Sequence, residues 1–251
     1  MLRCFRADLH IHTCLSPCAE VTMSPKRIAL RARRKKLDMI GICDHNSAEN
    51  VRASVAAALP KGVAVLPGME VTTREEVHVL ALFDEAAQAL ELQSAVYARL
   101  TPGTNDDILF GLQVVANEFD EVDGFNQRLL IAATNLNLRQ TVERIQALGG
   151  LAIASHIDRE TNGIVGQLGF IPADIPFDAL EISHHSSPVR ARKDIPGVGR
   201  MPLINSSDAH ELKGIGRVVT EFLLAGPTVR ELRYALRGVQ GRKIMTEGGL
   251  G

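Results

Sequence analysis

The chain has 251 residues and a formal net charge of −1, a balance that excludes a global electrostatic claim on nucleic acid or an anionic membrane. Hydrophobic residues make up 45% and charged residues 23%, with 4% aromatics and no Trp; this is an ordinary soluble composition with an aliphatic core. No apolar run approaches the ~18 residues of a membrane span.

The predicted elements alternate along the chain. "ADLHIHT" alternates polar and apolar residues as a strand does. "MSPKRIALRARRKKL" is helical, with Ser24 suited to the N-cap and Pro25 to the first turn. "LDMIGICDH" reads as a buried strand, and "SAENVRASVAAAL" as a helix capped by Ser47. "GVAVLPGMEV" and "EVHVLALF" are strands, and "EAAQALELQSAVYARL" is a helix. "LFGLQVVANEFDEV" reads as a β-hairpin within a less regular stretch. "LRQTVERIQALGG" is a helix ending in glycine. The strands "GLAIASH", "DALEISH" and "MPLINSSDAH" follow, then "VVTEFLLAG" and a last helix, "TVRELRYALRG", capped by Thr228. This alternation predicts a mostly parallel α/β sheet or barrel. One domain spanning 1–251 is the simplest description, with 84–140 as an inserted elaboration.

Metal-capable side chains fall at the predicted strand ends. His10 and His12 end the first strand, and Asp44 and His45 the second. Glu70 ends the third, His78 lies in the fourth, His156 ends "GLAIASH", and Asp208 and His210 end "INSSDAH". Six of the eight histidines take such positions. In an α/β barrel these ends converge on one face, where catalysis sits. Imidazole and carboxylate together suit zinc, iron or manganese. A carboxylate such as Glu70 can bridge two metals, and metals ~3.5–4 Å apart clamp the oxygens of a phosphoryl displacement. A lone strand-end histidine is more often a satisfied polar residue. Four separate clusters are not explained that way, because packing alone would gather unpaired ionisable groups together.

These pieces, "DLHIHT", "CDH", "PGMEV" with "VHVL", "ASH" and "SDAH", occur in the order of the PHP (polymerase and histidinol phosphatase) family of metal-dependent phosphoesterases, which the sequence resembles over residues 8 to 210. The resemblance implies a distorted (β/α)7 barrel with two or three divalent ions (zinc, manganese or iron) in a cleft. It implies that His10, His12, Glu70 and Asp208 hold one metal. Glu70 then bridges to a second, shared with His78 and His156, and His45 and His210 hold a third. The first motif departs from the family pattern. Pro17 stands where many members carry a ligating aspartate. Cys18, Glu20 or water are the alternatives there, and a Cys18 thiolate would favour zinc or ferrous iron.

Other residues carry weaker signals. Cys14 and Cys43 form no C-x2-C pair and read as small buried strand residues. Asp8 and Asp44 are placed to orient imidazoles, although Asp44 could instead cap a helix. Arg159 is either a bidentate phosphate grip or a surface arginine. His184, nearer its strand end than His185, is the candidate to donate a proton to the leaving group or to contact phosphate. The basic helix "KRIALRARRKK" reads as a solvated face.

The activity these features imply is hydrolysis of a small phosphorylated metabolite or nucleotide. A 5′–3′ exonuclease on short oligonucleotides is the runner-up, and a non-catalytic metal-stabilised binding module the non-enzyme alternative. Glu70 in place of a carboxylated lysine argues against an amidohydrolase. The start "MLRCFRADLH" lacks signal-peptide architecture, which predicts a cytoplasmic protein with reduced thiols. No membrane or obligate protein partner is expected.

Overall fold

The computed structural model describes residues 1–245. In chain order the elements are β1 Arg3–Ile11, α1 Pro25–Arg34, β2 Met39–Ile42, α2 Val51–Ala58, β3 Ala64–Thr72, β4 His78–Leu82, α3 Ala86–Tyr97, β5 Val114–Ala116 and β6 Val122–Phe125. They continue with α4 Leu138–Ala147, β7 Leu151–Ala154, α5 Ile164–Leu168, β8 Ala179–Ile182, α6 Pro188–Asp194, β9 Leu203–Asn205, β10 Thr220–Leu224, α7 Val229–Arg237 and β11 Lys243–Met245.

The main sheet runs β11-β10-β1-β2-β3-β4-β7-β8-β9. It curls until the segment after β9 meets β1. Ile11 and Ala209 form a parallel bridge, and His12 N donates to Ala209 O at 3.0 Å. Seven strands, β1–β4 and β7–β9, thereby close a distorted barrel, while β10 and β11 extend the outer edge of β1 in antiparallel fashion. No helix among the described residues is long and apolar enough to cross a membrane.

Two apolar layers follow from this closure. The inner one gathers Ala7, Leu9, Met39, Leu66, Leu80 and Ile153, and α7 covers it with Leu232 and Leu236. The outer one packs helices α1 to α4 on the barrel through residues such as Ile28, Val51, Leu92 and Val142. Because α3 supplies Ala89, Leu92 and Val96 to this outer layer, the part of 84–140 that stands outside the strand–helix alternation is the loop and the separate β5–β6 hairpin.

Strand directions within the barrel are mixed, and one sequence expectation, Ser47 as the cap of α2, needs correction. β4 is antiparallel to both β3 and β7. Only five residues, 73–77, join β3 to β4, too few for the crossover a parallel partner needs. α2 begins at Val51 with Asn50 at its N-cap. Ser47 is instead drawn away by Tyr97, whose hydroxyl lies 2.7 Å from the serine Oγ. Ser24 does occupy the N-cap of α1 but makes no side-chain cap bond. Thr228 caps α7 as expected, accepting from Glu231 N.

Candidate metal centre

The reversal of β4 matters for the site. It puts His78, the first residue of β4, at the same rim as Glu70 near the end of β3. A second local device acts in β1. Its register with β2 shifts between Asp8 and Ile11. Ala7 and Leu9 face the inner layer, yet Ile11 belongs to the outer one. A bulge re-aims side chains in this way, and here it turns His10 and His12 into the barrel mouth. Asn46, His156 and Asp208 hold positive φ of 49°, 25° and 49°, a sparsely allowed region that clusters at functional sites.

Glu70 lies at the centre. Its Oε1 is 3.1 Å from His78 Nδ1, 3.1 Å from His156 Nε2 and 3.4 Å from His10 Nε2. Its Oε2 is 3.1 Å from His45 Nδ1 and 3.6 Å from His12 Nε2. Five imidazoles thus surround one carboxylate that is 1% exposed. Asp208 closes the other side, with Oδ1 3.1 Å from His12 Nε2, 3.3 Å from His10 Nε2 and 3.6 Å from His210 Nδ1. The rings of His12 and His210 stack at 4.1 Å. Burial alone would raise the Glu70 carboxyl, but His78 and His10 outweigh it and hold Glu70 well below the usual carboxylate range.

The surrounding acceptors fix the ring tautomers. His10 Nδ1 is 3.0 Å from the Glu181 carboxylate, so that nitrogen donates and Nε2 is left with a lone pair. Asp44 accepts from Thr13 N, Thr13 Oγ1 and Ser16 Oγ, each at 2.7 Å. Having donated to Asp44, the Ser16 hydroxyl accepts from His12 Nδ1 at 2.9 Å. The result is that Nε2 of His10 and Nε2 of His12 face each other at 3.0 Å. Two bare lone pairs at that distance repel unless a cation or proton lies between them. With protons alone, the pair must split. Burial disfavours an imidazolium at His10, but Glu181, Asp208 and Glu70 push it well above its usual value. Burial, then His210 and His45, push His12 well below. His45 Nδ1 and His78 Nδ1 lie within 3.1 Å of Glu70 but not in hydrogen-bond geometry, and His156 Nδ1 is buried with no partner. Buried nitrogens do not stay unsatisfied without reason, and carboxylates that hold imidazoles from behind are the usual support of a metal site. The donor set therefore fits divalent cations. Three triads bring their ligand atoms within 4.8 Å of one another: His10, His12 and Asp208; His45, Glu70 and His78; His12, His45 and His210.

The alternatives at the first motif separate. Cys18 is exposed at the rim beside His45 and His210. Although the residue reaches solvent, crowding of its Sγ by the barrel mouth pushes the thiol up, but those two imidazoles outweigh that and bring it down to about 6. The Glu20 carboxylate is exposed, accepts from Thr22 Oγ1 at 2.9 Å and joins none of the triads. Cys14 and Cys43 are buried and free. Arg159 is no idle surface group, because its Nη2 sits 2.6 Å from Asp208 Oδ2. His184 stands further out, with Arg217 Nη1 3.2 Å from its Nε2 and the His185 ring 3.9 Å away. Asp8 contacts no ring; it accepts from Ser207 N at 2.9 Å and Gly216 N at 2.8 Å, pinning the loop that carries Asp208 and His210.

Sequence reasoning missed Glu181 and Arg217. Glu181 was readable only as the single acid in the buried strand "ALEI". Exchanging it for glutamine is expected to weaken metal binding by about 10–100-fold. Titration of the purified variant with zinc against its parent checks this, and equal affinities would refute it.

Fold and cluster together define an α/β barrel with a metal-binding rim. The family model for the PHP domain matches residues 8–160, and that for a PHP-associated region matches 191–239. The chain belongs to the PHP domain family. It is 26% identical to YqxK of Bacillus subtilis over 266 residues, covering 97% of this chain and 65% of that one. It is 22% identical to a 5′-3′ exoribonuclease of Haemophilus influenzae over 188 residues, or 59% of this chain and 68% of that one. Among solved structures it is similar to a lesion-specific endonuclease Q of Pyrococcus furiosus, with a TM-score of 0.73 and 22% identity. That match covers 97% of this chain and 58% of the endonuclease. A Bifidobacterium adolescentis protein described as a candidate metal-dependent phosphoesterase matches with a TM-score of 0.56 and 17% identity over 96% of this chain and 98% of that one. The chain thus spans less than two thirds of the length of YqxK and of the endonuclease.

Proposed function

We propose that the chain is a metal-dependent phosphoesterase that hydrolyses a small phosphorylated metabolite or nucleotide. The observation that carries this reading is the convergence of five imidazoles on the buried Glu70 carboxylate. His10, His12, Glu70 and Asp208 would hold one ion, and Glu70, His78 and His156 a second. His45 and His210 would hold a third, with Cys18 rather than Glu20 beside them. Zinc, manganese and iron all suit this donor set. Such ions, when bound, lower the pKa of water toward neutrality and neutralise phosphoryl oxygens.

The chain's own groups do the rest. Glu181 and the Ser16–Asp44 pair keep the His10 and His12 rings turned to the cleft. Arg159 spends one arm of its guanidinium on Asp208; the other arm is available to a phosphate oxygen. Burial, then His185, Arg217 and Arg159, lower His184 below its ordinary value. We therefore assign His184 to contact phosphate as a neutral ring rather than to protonate the leaving group.

A second reading, exonuclease action on short oligonucleotides, is favoured by the likeness to the Haemophilus influenzae exoribonuclease and by the fold shared with an endonuclease Q that has been seen with a 27-mer duplex. One experiment tests both. The protein is stripped with a chelator, supplied with manganese, zinc or iron in turn, and assayed on phosphorylated metabolites, nucleotides and 3′-labelled oligonucleotides. The expected result is no turnover without metal and hydrolysis of small monoesters with it. Stepwise shortening of oligonucleotides from the 5′ end would establish the second reading instead. Melting raised by metal, with no hydrolysis of any phosphoester, would establish a binding module and end the enzymatic proposal.

A further inference from the structure

One surface lies outside the metal centre and is unlike the rest of the molecule. Residues 104–125 contain six acids, Asp106, Asp107, Glu118, Asp120, Glu121 and Asp123, and no Lys or Arg. Among the described residues none of the six forms a salt bridge with a basic side chain. The same segment exposes seven large apolar side chains, led by Ile108 at 100%, Leu109 at 72% and Phe119 at 64%. Isolated exposed apolar residues are ordinary, but a concentration of them marks an interaction site. The segment packs on the residues that follow β1: Val114 N donates to Cys14 O at 2.8 Å, and Gly111 lies against Pro17 O. It is therefore a lip at the carboxyl-terminal end of the barrel. Its charge repels polyphosphate, so nucleic acid does not cover it.

The surface that complements it is on the chain itself. At the opposite end of the barrel, the loops entering β7, β8 and β9 and the last turns of α7 enclose a cavity of about 810 Å³. Phe177, Met201 and Leu236 give it apolar walls, and Arg200, Arg233 and Arg237 ring it. Arg233 is held by Asp178 at 3.4 Å. Arg200 and Arg237 are exposed and, among the described residues, have no carboxylate partner.

We propose that these two surfaces dock. The acidic apolar lip of one copy seats in the basic cavity of the next, giving head-to-tail self-association. The two surfaces are different and lie at opposite ends, so the contact is heterologous and each docked copy presents a fresh lip. Association is strongest at low ionic strength, since the unpaired charges are solvent-facing and salt screens them.

Two surface variants test this: Asp107→Lys with Phe119→Ser disables the lip, and Arg200→Glu with Arg237→Glu disables the cavity. All four side chains are exposed, and thermal melting matched to the parent verifies that each variant is folded. By sedimentation in low salt, the parent is expected to gain mass with concentration and to return to monomer at high salt. Each variant alone is expected to stay monomeric. An equimolar mixture is expected to form a dimer and stop there, because one variant retains a cavity and the other a lip. A parent monomeric at all concentrations, a mixture that stays monomeric, or either variant associating like the parent would overturn the proposal. None of these readouts depends on catalysis.

Discussion

Exchanging Glu70 for glutamine is expected to strip most bound metal from the protein and to lower phosphoester hydrolysis by at least about 10³-fold. Glutamine keeps the volume and one acceptor oxygen but removes the charge that five imidazoles share. It also places an amide N–H₂ group where a second oxygen meets His45 and His12. That amide can accept from neither ring and can bridge no cations. The fold should survive, because Glu70 sits at the barrel mouth while Leu66, Leu80 and Ile153 fill the inner layer below it. Metal analysis beside circular dichroism separates the outcomes. A folded variant with full metal content and parental rates would show that Glu70 is only a buried counter-ion.

The second large effect is on stability. Gly68 lies two residues before Glu70 in β3, and a Cβ there would stand 2.2 Å from Ala81 O, 3.1 Å from Leu82 Cδ2 and 3.2 Å from Ile42 O. Two of these neighbours are backbone atoms of the adjoining strands β4 and β2, so relief requires the sheet to part. Gly68→Ala is expected to cost about 3 kcal/mol, which lowers the melting temperature by about 6–12 °C in a chain of this size. Turnover should fall as well, since the same displacement moves Glu70. Gly124→Ala is the control, because nothing lies within 4 Å of its added Cβ. Equal melting of both variants and the parent would contradict the packing described for β3.

Much of the centre was legible in the sequence, for a definite reason. Residues at strand ends are few, and a barrel sends all of them to one rim. That is why His10, His45, Glu70, His156 and Asp208 could be read as neighbours although they are spread over 199 positions. The supporting shell was less legible. Glu181 reaches His10 only because β8 stands beside the mouth once the sheet has closed, and nothing local to "ALEI" announces that. Arg217 likewise lies in a loop whose position is set by Asp8, 208 residues away along the chain. Ser47 illustrates the reverse case. Its local pattern is that of a helix cap, and a tertiary partner, Tyr97, overrode it. The antiparallel direction of β4 follows from the five-residue link before it, a constraint that strand–helix alternation does not express.

The most direct measurement is an anomalous-scattering map of crystals grown with zinc or manganese, recorded at the absorption edge of the metal supplied. Density is expected between His10, His12, Glu70 and Asp208, with a further peak on the Glu70, His78 and His156 side of the same cleft. A map whose bound ions all lie elsewhere, leaving the Nε2 atoms of His10 and His12 in contact only with each other, would contradict the assignment at its root.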